Sequence, residues 1–216
     1  MSAIDELREA RLDLLRAQTR HSNFEGDYAE LKVAELRREH NVAANSAPED
    51  NILTFAGEIT DQTAYKAIQT LGIFHRRDPK CDITILLTSP GGSGYAGFGM
   101  YDYINELRSL GHKVTIKVLG YAMSMAVTLL QAADERVMAK NAFLLVHEAA
   151  LDPGFGSYAD QKDRLAHTKR LQDKVFASLA TRSTLTLATI KRRAHKNDWL
   201  IDAEEALKLG LVDRLS

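Results

Sequence analysis

Gly120-Tyr121-Ala122-Met123-Ser124-Met125-Ala126 joins two apolar runs, Val114 to Leu119 before it and Val127 to Ala133 after it. The first run reads as a strand and the second as a helix, so the heptapeptide is a strand-to-helix turn. A single serine among small and sulfur-containing residues at such a turn suits two roles. It suits an exposed nucleophile, and it equally suits the N-cap of the helix that follows, where a hydroxyl accepts a backbone N–H. The turn by itself leaves both open.

The strand-and-helix texture extends in both directions from this turn. Upstream, Ile52-Leu53-Thr54-Phe55 reads as a strand ending in the turn Ala56-Gly57-Glu58, and a helix capped by Thr60 or Asp61 is expected to about Arg76. Ile83-Thr84-Ile85-Leu86-Leu87-Thr88 has the continuous apolar, β-branched character of a buried strand, and it runs into Ser89-Pro90-Gly91-Gly92-Ser93-Gly94 and a helix from about Ala96 to Leu110. Lys113 to Leu119 is the strand that ends at the heptapeptide. Downstream, Arg136-Val137-Met138-Ala139 and Ala142-Phe143-Leu144-Leu145-Val146-His147 are strands, and Asp152-Pro153-Gly154-Phe155-Gly156 is a loop. A long charged helix spans about 158–182, a short one Thr186 to Ala194, and a last one follows Asp198-Trp199-Leu200-Ile201. This alternation predicts an α/β fold with a mostly parallel sheet covered by helices.

Before Asn51 the pattern differs. Residues 1–44 place Ile4, Leu7, Leu14 and Leu15, then Phe24, Tyr28, Leu31 and Leu36, at helical spacing, with mixed-sign charges on the other faces. The reading is a helical N-terminal extension of two amphipathic helices, with Asn41 to Asp50 as linker, so residues 1–50 stand apart from a domain at 51–216. At 216 residues, 45% hydrophobic, 26% charged and with formal net charge -1, the chain is ordinary globular material. That balance argues against general nucleic-acid binding. No apolar run reaches the roughly 18 residues of a spanning helix and the first residues are charged, so a cytoplasmic protein without membrane attachment is expected. Cys81 is the single cysteine and reads as a small residue at a strand start, away from any histidine partner.

Gly91-Gly92-Ser93-Gly94 fits neither G-x-x-x-x-G-K-[ST] nor G-x-G-x-x-G, which argues against a nucleotide cradle. Consecutive glycines also let a backbone N–H approach a substrate carbonyl oxygen, and two such donors make an oxyanion hole. A serine nucleophile needs a base, and the base an orienting partner. Of the seven histidines, His21, His40, His75, His112, His167 and His195 lie in charged or helical surroundings read as surface, whereas His147 ends an apolar strand, where sheet-based sites are assembled.

Ser89-Pro90-Gly91-Gly92, Ala122-Met123-Ser124-Met125, the Val146-His147 strand end, and Asp198-Trp199-Leu200-Ile201-Asp202-Ala203-Glu204-Glu205-Ala206 through Gly210-Leu211-Val212-Asp213 occur in the order found in the Clp protease proteolytic subunit (ClpP) family. The resemblance covers about Asn51 to Ser216. It implies a crotonase-like fold and a serine endopeptidase with Ser124 as nucleophile, His147 as general base then acid, Asp198 as imidazole orienter, and the backbone N–H groups of Gly92 and Met125 as oxyanion hole. Counting back from Gly210-Leu211-Val212-Asp213 selects Asp198 and leaves Asp202 as a helix N-cap. The resemblance also implies self-association into two stacked seven-membered rings through the long 158–182 helix, unfolded polypeptides as substrates, and a separate AAA+ ATPase that delivers them. It implies no cofactor and no metal in this chain, with ATP entering only through that partner.

Four departures from the family pattern bear on partners. Glu148-Ala149 stands where the family has Gln-Pro, and Asn197 stands where it has an arginine used in ring contacts. The positions that line the ATPase docking pocket with aromatics match Thr84, Leu86 and Glu106, and the N-terminal extension differs from the family's short propeptide and axial hairpin. These suit a divergent member, and a phage-type head-maturation protease working without an ATPase is an alternative. From other classes, a crotonase-type acyl-CoA enzyme and a noncatalytic ring subunit compete.

Overall fold

The computed structural model describes residues 50–150 and 155–216. The chain divides between Ala47 and Pro48, and every described residue lies in the second unit. The expected N-terminal helices and most of the 152–156 loop lie outside the described residues.

Strands β1 (Ile52–Ala56), β2 (Ile83–Ser89), β3 (Val114–Met123), β4 (Glu135–Met138) and β7 (Arg214–Leu215) stand in the sheet order β1-β2-β3-β4-β7, all parallel. β5 (Phe143–Val146) joins β3, and β6 (Trp199–Asp202) pairs antiparallel with β5. Helices α1 (Asp61–Arg77), α2 (Gly94–Ser109) and α3 (Met125–Leu130) connect the parallel strands, followed by α4 (Tyr158–Thr181), α5 (Leu187–Ala194) and α6 (Ala203–Lys208). The expected mostly parallel, helix-covered sheet is therefore present.

Each helix start has a local cause. Thr60 forms a capping box with Thr63 at α1, Ser157 one with Asp160 at α4, and the Asp202 carboxylate accepts the Glu205 N–H at 2.8 Å at α6. The N-cap assigned to Asp202 from sequence is thus observed. Burial of alternate residues along β2, from Ile83 through Ser89, sets one face into a core with Leu71 and Phe74 of α1 and Met100 and Ile104 of α2. At about 1.5–3 kcal/mol per fully buried large apolar side chain, this layer supplies the main favourable contribution to the fold.

One strand is longer than its sequence suggests. β3 does not stop at Leu119 but runs to Met123, bending at Gly120, whose φ of 71° is the left-handed region. Between Leu87↔Val118 and Ser89↔Ala122, two steps along β2 face four along β3. That bulge splits β3 into a first half paired with β4 (Thr115 to Val118) and a second half paired with β5 (Tyr121 to Met123). β7, only two residues long, has no signature in the sequence. It is tied down by the buried Arg136, whose guanidinium bonds both Asp213 oxygens, at 2.5 and 3.1 Å, the Gln131 amide oxygen and the Arg182 carbonyl.

Two sequence expectations fail at the other end of the strands. His112 is buried, not a surface imidazole: its Nδ1 lies 2.8 Å from the Cys81 carbonyl and its Nε2 2.8 Å from His75 Nδ1. Cys81, expected to lie away from histidine, has its Sγ 3.6 Å from that ring, and burial pushes its thiol pKa up. The turns before β2 and β3 bring these distant positions together, which no local pattern reports.

Candidate active site

Register places three side chains at one edge of the sheet. Met123, the last residue of β3, lies opposite Leu145 of β5, and the Ser124 N–H donates to the Leu145 carbonyl at 2.8 Å. β5 ends one residue later and His147 emerges from it. β6 returns antiparallel with Trp199 opposite Val146, so Asp198 precedes that strand at the same end.

Ser124 sits at φ 54° and ψ -124°, a conformation an L residue holds at a cost of about 1–3 kcal/mol and typical of a sharp strand-to-helix turn. It occupies the N-cap position of α3, yet its side chain makes no capping hydrogen bond. The two roles open in the sequence are thereby distinguished: the hydroxyl is not spent on the helix. Gly91 makes the tight turn possible, since a Cβ there would lie 2.6 Å from the Met123 carbonyl oxygen and 2.8 Å from Ser124 Cβ.

The glycine loop also orients an N–H. Ile59 pairs with Gly92 in a parallel bridge, donating to the Gly91 carbonyl at 2.7 Å and accepting from Ser93 N–H at 2.8 Å. In a parallel bridge the residue so spanned directs its own N–H and C=O away from the partner, and the Gly92 N–H has no acceptor among the described residues. A Cβ on Gly92 would collide with the Ile59 carbonyl oxygen, so only glycine fits. Met125 is the first residue of α3, where an N–H has no intrahelical acceptor.

Ser124, His147, Gly92 and Met125 line one cleft of about 590 Å³, walled on its far side by Leu171, Val175 and Leu179 of α4. Glu58 and His147 are its ionisable lining residues, so the cleft is largely apolar. Asp198 stands outside the lining, with its side chain 76% exposed against 31% for His147. Asp198 Oδ1 is 3.9 Å from His147 Nδ1, an ion-pair distance too long for a hydrogen bond. No hydrogen bond joins Ser124 to His147 among the described residues. The three groups are gathered but not yet linked in a relay.

Sequence reasoning marked Glu148 as a departure bearing on partners and gave it no place in this geometry. Glu148 accepts from His195 Nδ1 at 3.1 Å and from the Lys196 N–H at 3.0 Å. The Lys196 N–H first and the His195 ring second hold the Glu148 carboxyl below its usual range. The available signal was its position, next to His147 and departing from Gln.

The remaining predicted positions are dispersed. Thr84 and Leu86 are half-buried on β2, Glu106 is exposed on α2, and Asn197 is exposed, donating to the Arg193 carbonyl at 3.3 Å. Among the described residues no group of three His, Cys, Asp or Glu side chains could hold a metal ion, and no helix is long and apolar enough to cross a membrane.

Comparison with known proteins gives concordant matches. The family model described as Clp protease matches residues 37–216. The ATP-dependent Clp protease proteolytic subunit 3 of Streptomyces coelicolor is 31% identical over 172 residues, covering 77% of this chain and 76% of that one.

Proposed function

The chain belongs to the Clp protease family, and from that premise we propose that it is a serine endopeptidase in which Ser124 is the nucleophile, His147 the base and Asp198 its orienting partner. The observation that carries this reading is the uncapped Ser124 hydroxyl, held at positive φ in the same cleft as His147 and the unpaired Gly92 N–H.

His147 Nε2 takes the Ser124 proton as Oγ adds to the scissile carbonyl. The tetrahedral oxyanion accepts hydrogen bonds from the Gly92 and Met125 N–H groups, each worth about 2.7–4 kcal/mol to the transition state. On collapse the C–N bond breaks and His147 returns its proton to the leaving amine. Water, deprotonated by His147, then adds to the acyl ester, and as the ester C–O bond breaks His147 returns that proton to Ser124 Oγ and the new carboxylate leaves. Asp198 keeps the imidazole in the tautomer with Nδ1 protonated. For that role the 3.9 Å separation has to shorten by about 1 Å, as catalytic contacts loose in a resting enzyme do when substrate binds.

A fluorophosphonate probe tests the assignment. It is expected to label Ser124, with labelling abolished in Ser124→Ala and greatly reduced in His147→Ala; an assembled, folded protein that does not label sinks the proposal.

Assembly is part of the same proposal. The first ten residues of α4, Tyr158 to His167, are exposed on every side, including Tyr158 and Leu165. A projecting helix with apolar residues on a solvated surface suits self-association, here into stacked, seven-membered rings enclosing the clefts, with unfolded polypeptides as substrates. A form that is monomeric by mass and fully active would refute the ring. A second reading concerns delivery: the exposed Glu106 opposes the apolar loop of an ordinary AAA+ partner, favouring a head-maturation-type enzyme that cleaves tethered protein without ATP. Unaided cleavage of a folded, tethered substrate would support it, and cleavage strictly dependent on an ATPase would exclude it.

A further inference from the structure

We propose that Glu148 is a positioning residue for the triad, one carboxylate that ties the strand end bearing His147 to the turn bearing Asp198. The inference rests on the triad assigned above and adds to it a component that none of its members supplies.

Glu148 directly follows His147 in sequence. Its two oxygens reach across to consecutive residues, Oε1 to the His195 ring and Oε2 to the Lys196 N–H. Asp198 is the second residue after Lys196. The turn between them is one that needs holding. Lys196 has φ 51°, left-handed and non-glycine, and α5 has ended at Ala194. On its other side Asp198 leads into Trp199, which pairs with Val146, the residue before His147. Without the carboxylate bridge, the exposed His195 to Asn197 segment is held by its ends at Ala194 and Trp199 and by Asn197, whose backbone N–H donates to the Ala194 carbonyl at a long 3.4 Å and whose side chain donates to the Arg193 carbonyl at 3.3 Å.

The bridge therefore sets how far Asp198 stands from His147 Nδ1. It acts on a separation that is already 3.9 Å and has to close by about 1 Å to make the hydrogen bond. A misplacement of about 1 Å costs up to about 100-fold in rate, so the bridge is placed where small displacements have large effects. Lys196 donates through its backbone, so any residue at 196 except proline preserves that bond. Glu148 has no such substitute: its neighbour Ala149 donates its N–H to the Gln172 side chain of α4 at 2.8 Å, which fixes the segment from the opposite side.

The test is a double-mutant cycle read by fluorophosphonate labelling rate on the full, assembled chain. Glu148→Ala is expected to slow labelling about tenfold and to lower kcat for a peptide while changing KM by less than about twofold. Glu148→Gln, which keeps an acceptor for the Lys196 N–H, is expected to recover to within about threefold of the wild type. In the Asp198→Ala background, Glu148→Ala is expected to change labelling by less than about twofold, because the group it positions is gone. Equal losses in both backgrounds, or a Gln variant as slow as the Ala variant, would overturn the proposal and leave a charge or folding effect. Should Glu148→Ala fail to assemble, His195→Ala, which removes one of the two partners, takes its place in the cycle with Asp198→Ala, and equal losses in both backgrounds would again overturn the proposal. A wild type that does not label at all refutes the triad rather than the bridge, which keeps the two failures distinguishable.

Discussion

Gly91→Ala is the most demanding test of how the nucleophile turn is built. Gly91 has φ 92°, where a side chain costs about 1–2 kcal/mol. Its new Cβ would lie 2.6 Å from the Met123 carbonyl oxygen, 2.8 Å from Ser124 Cβ and 3.0 Å from the Met125 nitrogen. Two of these three are backbone atoms, so no side-chain rotation relieves the overlap. The carbonyl has to retreat from 2.6 Å to at least 3.0 Å, and overpacking of this kind costs about a further 1–3 kcal/mol. The expected loss is therefore about 2–5 kcal/mol in urea unfolding, at matched protein concentration. Because the moving atoms flank Ser124 and the proposed Met125 donor, labelling by the fluorophosphonate is expected to slow about tenfold or more. Gly99→Ala is the internal control: it lies within α2, with nothing within 4 Å of its Cβ, and should gain about 0.5–1 kcal/mol from helix propensity. A Gly91→Ala protein that loses less than about 1 kcal/mol and labels at the wild-type rate would refute the reasoning.

Three further outcomes are expected. Ser124→Gly should be more stable than Ser124→Ala by about 1 kcal/mol, since glycine relieves the positive φ, while neither labels; equal urea midpoints would show that the turn is unstrained. Asp213→Asn leaves Arg136, with 7% of its side chain exposed, without its carboxylate, at a cost of about 3 kcal/mol. Burial raises the Asp213 carboxyl, but the Arg136 hydrogen bonds outweigh it and the net shift is downward; a depressed folded pKa contributes stability above the unfolded value of about 4 that drains as pH falls through and below it. The wild type should lose more stability than the Asn variant between pH 5 and about 3, and parallel pH curves would contradict this. Thr128 Oγ1 is buried without a hydrogen-bond partner, so Thr128→Val should be neutral or stabilising by about 1 kcal/mol; a clear loss in urea unfolding would mean that the hydroxyl has an acceptor in solution.

Much of this architecture was legible because it rests on local chemistry. The strand at Ile83 to Thr88, the helix caps at Thr60 and Asp202, and the Ser124 turn follow from period, β-branching and hydroxyl placement over a few residues. What escaped depends on pairing between distant segments. Tyr121 to Met123 reads as a turn until β5 arrives alongside it, and Arg214 and Leu215 become a strand only against β4. His112 carries a surface signature but is enclosed by the Cys81 turn and His75. At the site, Ser124 and His147 announced themselves at element ends. Glu148 showed only as a departure from Gln, because its contact with His195 depends on a segment 47 residues away meeting it through space.

The bulge that splits β3 has a consequence for motion. Because Ser124 donates its amide to the Leu145 carbonyl, the proposed nucleophile is one rung of the ladder that carries the proposed base, and opening that rung means unzipping β3 from β5. Asp198 belongs to an exposed turn that is bonded to the end of the ladder by the Glu148 carboxylate and is not a rung of it. In hydrogen exchange, amides that open only with the sheet persist long after those of exposed turns have traded their protons. Ser124 should accordingly rank among the slow positions and the 195–197 turn among the fast ones. The protein would then rest with two of the three proposed catalytic groups clamped in one frame and the third on the tether that Glu148 supplies.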